Sequence, residues 1–234
     1  MWYFALFIVV VVATGGLVVF YQPKNMGFSK LLLSFSGAYL FALIFSHLLP
    51  EIYSDASWDI GLYILAGFLL QLALDFISKG IEHGHAHYHG TSFPLSIFIG
   101  LCLHSFFEGM PIIQTGGEET MHVNYALIWG IMIHKLPITI VLAGLLKQQF
   151  SALKSMVFIF IFAITLPLGS LTNMNIENLL ADSAHFEHIV LAIVVGMMLH
   201  VSTTILYETD EGHKFNYKKV ISILLGFIIA FFTS

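Results

Sequence analysis

Of the 234 residues, 58% are hydrophobic and only 10% charged, where an ordinary soluble domain carries roughly 25% charged residues. A mean hydropathy of +0.88 with a net charge of −5 leaves too little polar surface to clothe a soluble fold. All nine basic residues are lysine, so no guanidinium fork exists for phosphate or nucleic acid, and the lone Cys102 rules out an intrachain disulfide or a cysteine-built zinc site.

A hydrocarbon slab requires about 20 apolar residues per helix. Eight segments of this kind follow one another: 2–20, 31–49, 60–77, 93–113, 125–146, 153–171, 188–207 and 220–232. The chain is therefore expected to be an all-α polytopic membrane protein, one transmembrane domain over 1–234. The first segment lacks a basic leader and a small-residue cleavage site and is read as a retained helix. The last is short, and Lys218 and Lys219 can reach the headgroups to help it span.

Eight of the nine lysines (Lys24, Lys30, Lys79, Lys147, Lys154, Lys214, Lys218 and Lys219) fall in the connections after helices 1, 3, 5 and 7. The positive-inside rule then places both termini outside the cell membrane, which is the inner membrane if the source is bacterial. The opposite connections carry Glu51, Asp55, Asp59, Glu118, Glu119, Glu177, Asp182 and Glu187. Either these are solvated loop charges, or their field gathers cations on the outer face.

The longest connection, 78–92, is cytoplasmic in this topology and contains His83, His85, His87 and His89. Alternating imidazoles on a glycine-containing chain suit labile binding of zinc, nickel or copper and lack the fixed surroundings of a structural site. Inside the helices, ionisable groups are costly and point to function. Helix 2 ends in His47-Leu48-Leu49-Pro50-Glu51; helix 3 carries Gln71 and Asp75; helix 4 carries His104, Ser105 and Glu108, followed by Gly109 and Pro111; helix 5 carries His134, Lys135 and Pro137; helix 7 carries His200. His104 and Glu108, four apart, share one helical face and make half of a site for a borderline divalent metal. The competing reading is a set of interhelical hydrogen bonds that lock the bundle.

The motifs His104-Ser105-Phe106-Phe107-Glu108-Gly109 and His134-Lys135-Leu136-Pro137 resemble the paired signature of the ZIP (Zrt/Irt-like) family of divalent metal transporters, in the branch with His-Lys on helix 5. The likeness extends along the whole chain, through the ending of helix 2 and the histidine-rich loop. It implies eight helices, with helices 1–3 and 6–8 as inverted repeats around helices 4–5. It also implies import of zinc, and in some members cadmium, iron or manganese, with His104, Glu108 and His134 as direct ligands. His47, Glu51, Ser105, Asp75 and His200 are then pathway or accessory positions. The chain departs from the pattern at Ile138, where many members carry an acid or histidine after the helix 5 proline, and at Lys135, whose ammonium occupies the place of a second metal. Leu166-Pro167-Leu168-Gly169 on helix 6 offers no acid for such a site either. A single-metal pathway is expected, with Glu108 or Asp75 as the partner of Lys135.

Divalent metal ions and the lipid bilayer are the partners this reading calls for; a homodimer is allowed for. Two other classes stay open on the residues alone. One is an intramembrane zinc-dependent hydrolase, although no helix contains His-x-x-x-His. The other is a bis-histidine haem protein using pairs from His47, His104, His134 and His200.

Overall fold

The computed structural model describes residues 2–21, 27–54, 59–81, 95–114, 122–177, 179–180, 183–207 and 216–233. They form eight long helices: α1 (Trp2–Tyr21), α2, α3 (Ile60–Ser78), α4 (Leu95–Gly109), α5 (Tyr125–Gln149), α6 (Ala152–Glu177), α7 (Ser183–Tyr207) and α8 (Tyr217–Thr233). Seven are long and apolar enough to cross a membrane; α8, at 17 residues, falls just short in length. The histidines 83, 85, 87 and 89, and with them most of the 78–92 loop, lie outside the described residues.

Helix α2 is a composite of Gly27–Leu43, a π-helical turn Ile44–Leu48, and Leu49–Ser54. The cause is Pro50. It has no N–H to give the carbonyl of Ser46 and its ring crowds that carbonyl, so the chain widens by a residue per turn just before it. Helix α3 stops at Lys79, whose left-handed backbone (φ 56°) lets the chain turn away beside Gly80 (φ 70°). Helix α4 ends sooner than the apolar run 93–113 predicts. Gly109 and Pro111 convert its end to a 3₁₀ turn, Met110–Ile112, which leads into a two-stranded hairpin, Ile113–Gln114 against His122–Val123. Asn124 caps the next helix, its side-chain oxygen accepting from the Leu127 N–H at 3.0 Å. Conversely, α6 and α7 extend beyond their apolar stretches, so Glu177 and Glu187 belong to helices and are buried. Their reading as loop charges is thereby corrected.

The main helix pairings are α3 with α7, α2 with α8, α4 with α6, α1 with α6, and α1 and α2 with α5. Exchange α1 for α6, α2 for α7, α3 for α8 and α4 for α5, and the α3/α7 pair becomes α8/α2 while α4/α6 becomes α5/α1. These pairs obey the exchange that an inverted repeat around α4 and α5 implies, whereas α2/α5 and α3/α4 have no comparable counterparts in α7/α4 and α8/α5 among the described residues. Helix α5 is the axis: 72% of its apolar window is buried in protein, against 22% for α3.

In lipid, where tails are as apolar as the helices, close backbone approach replaces the hydrophobic effect as the force between helices. Glycines permit it. A Cβ on Gly67 of α3 would land on the carbonyl oxygen of Ile193 in α7, and one on Gly196 of α7 on that of Ile64 in α3. Gly109 and Gly169 stand in the same reciprocal relation to Leu166 and Phe106 across the α4/α6 crossing. Gly144 of α5, by contrast, meets nothing within 4 Å among the described residues. Thermal unfolding in detergent should therefore separate them. Gly67→Ala and Gly196→Ala each lose about 1–3 kcal/mol or more through overpacking, while Gly144→Ala is neutral or gains up to about 1 kcal/mol of helix propensity.

Candidate metal centre

Helix α4 presents His104 and Glu108 one turn apart on its buried face, and α5 brings His134 against them. Glu108 Oε1 lies 3.1 Å from His104 Nε2, and the two imidazole rings meet edge to face with centroids 6.2 Å apart. One donor atom from each of the three residues falls within 4.8 Å of the others, and all three side chains are fully buried. Bonds of ~2.0–2.1 Å around tetrahedral zinc set ligand atoms ~3.4 Å apart, so modest side-chain rotation closes this set on an ion. Three protein ligands around a tetrahedral ion would leave a fourth position for water or an exchanging ligand.

The partner of His104 on the other side is Gln71 of α3, whose Oε1 lies 2.8 Å from Nδ1. An amide oxygen only accepts, so Nδ1 donates to it, and in the neutral ring Nε2 is the nitrogen available to an ion. That nitrogen faces a carboxylate oxygen at 3.1 Å. A proton or a metal ion between the two atoms can join them.

Lys135 resolves the other half of the carboxylate. Its Nζ pairs with Glu108 Oε2, and the ammonium lies 5.5 Å from the centre of the Phe162 ring of α6. Of the two partners expected from the sequence, it is Glu108 that takes Lys135. Asp75 instead faces His200 across the α3/α7 pair, Oδ2 to Nε2 at 3.7 Å, and the His200 ring stands edge-on to Phe68. Gln71 and Asp75 lie one turn apart on α3, so His104, Gln71, Asp75 and His200 form a polar file leading away from the cluster toward the end of the bundle opposite the hairpin. Ser105 is fully buried beside His104. Ile138 and Leu166 are buried as well and contribute only hydrocarbon.

The remaining sequence candidates lie elsewhere. His47 is half-buried in the π-turn of α2. Glu51 is exposed at the hairpin end, where Asn124 Nδ2 donates to its Oε2 at 3.4 Å. Neither belongs to the three-residue cluster. Two features were missed by reading the sequence alone. One is the hold of Gln71 on His104; its signal was an amide one turn from Asp75 in an otherwise apolar helix. The other is a buried polar stripe on α6, formed by Ser170, Asn173 and Glu177.

Residues 92–234, well over half of the chain, match the family model described as ZIP zinc transporter. Among curated proteins, the one named zntD from Dictyostelium discoideum is 27% identical over 163 residues, an alignment covering 64% of this chain and 24% of the relative. The chain thus spans about a quarter of the length of that relative.

The lysine gives a test of the electrostatics. Lys135→Met removes the cation from a fully buried carboxylate, and breaking such a pair costs about 3–5 kcal/mol. The metal-free variant should melt well below the parent, and added zinc should recover more stability for the variant than for the parent, since a bound ion supplies the missing charge. Equal zinc-induced shifts in both proteins would show that Glu108 does not face the ion.

Proposed function

Because the chain belongs to the ZIP zinc transporter family, we propose that it is a divalent metal transporter that imports zinc toward the cytoplasm by alternating access at one intramembrane site. The description of that family leaves the hydrolase and haem readings without support. The observation that carries the proposal is the His104–Glu108 pair: an imidazole nitrogen, held in place through Gln71, within 3.1 Å of a carboxylate oxygen in a fully buried site with His134 alongside. Ligands for the ion are His104, Glu108 and His134.

A single ion fits this chemistry. Carboxylate-bridged pairs of metals need shared oxygen ligands, and here Lys135 holds the second oxygen of Glu108 while Ile138 and Leu166 offer none. Two imidazoles and one carboxylate favour zinc and cadmium over manganese, with iron between. The one-sided lysines support termini outside the cell membrane and the histidine-rich loop within. On that orientation Asp75 and His200 lie on the cytoplasmic side of the site, where an ion leaving the imidazoles meets a carboxylate and another imidazole. His83, His85, His87 and His89 then receive or buffer the ion at the exit.

Uptake of radioactive zinc into vesicles, with cadmium, iron and manganese as competitors, is the deciding experiment. His104→Ala and Glu108→Ala should each abolish uptake while the proteins still reach the membrane; a folded Glu108→Ala variant that transports would refute the ligand set. Serine at His83, His85, His87 and His89 together should preserve uptake at high metal. Metal analysis of the purified protein should find one tightly bound zinc per chain in the bundle when the loop histidines are replaced.

A further inference from the structure

Helix α6 directs one face into the bundle, and Phe162, whose ring lies 5.5 Å from the Lys135 ammonium, marks that face. Positions 166, 170, 173 and 177 follow it at steps of four, four, three and four, so they stack on the same side of the helix. Up to Leu166 the face is apolar. Beyond it stand Ser170, Asn173 and Glu177, all within 2% of complete burial. Gly169, beside Ser170, packs on the backbone of Phe106, between His104 and Glu108 in the sequence, which sets Ser170 at the depth of the metal cluster. Glu177 is the last residue of α6, whose end packs on the 3₁₀ turn and the first hairpin strand. At 1.5 Å per residue the stripe rises ~10 Å from the cluster to the hairpin end.

The Asn173 amide nitrogen donates to Glu177 Oε1, which turns Asn173 Oδ1 away from the pair; that oxygen and the Ser170 hydroxyl have no hydrogen-bond partner among the described residues. Buried amide and hydroxyl groups in a bundle are normally satisfied. What the stripe presents is a carboxylate, an amide oxygen and a hydroxyl, with no nitrogen or sulfur donor: a set for a hard or partly hydrated cation. We propose that Asn173 and Glu177 form a weak, oxygen-only binding station for divalent cations, with Ser170 as the step between it and the imidazole cluster. As an access route it rests on the transporter reading above; as a binding site it stands apart from it. One carboxylate holds a divalent ion loosely, and the two imidazoles deeper in the bundle then draw zinc onward while offering manganese or calcium less.

Two measurements test this. In zinc uptake, Glu177→Gln and Asn173→Leu should each raise KM about tenfold and leave Vmax within about twofold, the signature of lost binding without lost chemistry or gating. Glu177→Asp should fall between them and the parent. An unchanged KM, or a fall in Vmax at constant KM, would overturn the proposal and make the pair a helix lock. Purified His104→Ala protein should still bind one Mn²⁺ weakly, with an electron-spin-echo spectrum free of imidazole nitrogen coupling, and should lose it on Glu177→Gln. Nitrogen coupling, absence of Mn²⁺ binding, or binding that survives Glu177→Gln would each overturn the station. Normal zinc uptake by His104→Ala would instead refute the ligand set of the deeper site and leave the Mn²⁺ result to be read by itself.

Discussion

Everything at the centre of this bundle is arranged around one buried negative charge. A carboxylate such as that of Glu108, taken out of water, is tolerated only when its oxygens are matched by cations or hydrogen bonds. Here one oxygen is matched by Lys135 and the other faces the His104 imidazole at 3.1 Å. The lysine supplies one unit of charge permanently, so the second oxygen can be satisfied by an ion that comes and goes without leaving a wholly unpaired carboxylate behind.

The scaffold around that charge is built from backbone contact. Reciprocal glycines at the α3/α7 and α4/α6 crossings bring carbonyls to within the space of a missing methyl group. The α4/α6 crossing lies at Gly109, next to Glu108, so the same contact that joins the helices fixes the depth of the carboxylate. Gly109 thus has two duties: it admits α6, and with Pro111 it ends the α-helix immediately beyond the ligand.

The sequence carried the bundle and the cluster clearly, for reasons that are physical. Apolar runs of membrane length are visible by composition, and an i, i+4 histidine–glutamate pair stays a pair in any helix. The same was true of the competition for Lys135, which could be narrowed to two acids but not decided, because the choice depends on which helices adjoin. What was hidden lay at helix ends. The α6 apolar stretch stops near Leu171, yet protein neighbours bury another turn and more, carrying Asn173 and Glu177 inside. The apolar run overstates helix 4 because Ile112 and Ile113 continue it after the backbone has changed form. The π-turn at Ile44–Leu48 left a trace only in Pro50.

The pairings sort the helices into two sets, α2, α3, α7 and α8 on one hand and α1, α4, α5 and α6 on the other, joined mainly through α2/α5 and α3/α4. The candidate ligands all ride on the second set, while Gln71 rides on the first. The 2.8 Å bond from His104 to Gln71 is therefore a seam between two bodies. A shift of one set past the other would part this bond and release the imidazole from its fixed orientation. In the proposed transporter, grip on the ion and any relative travel of the two sets would then share a single coordinate.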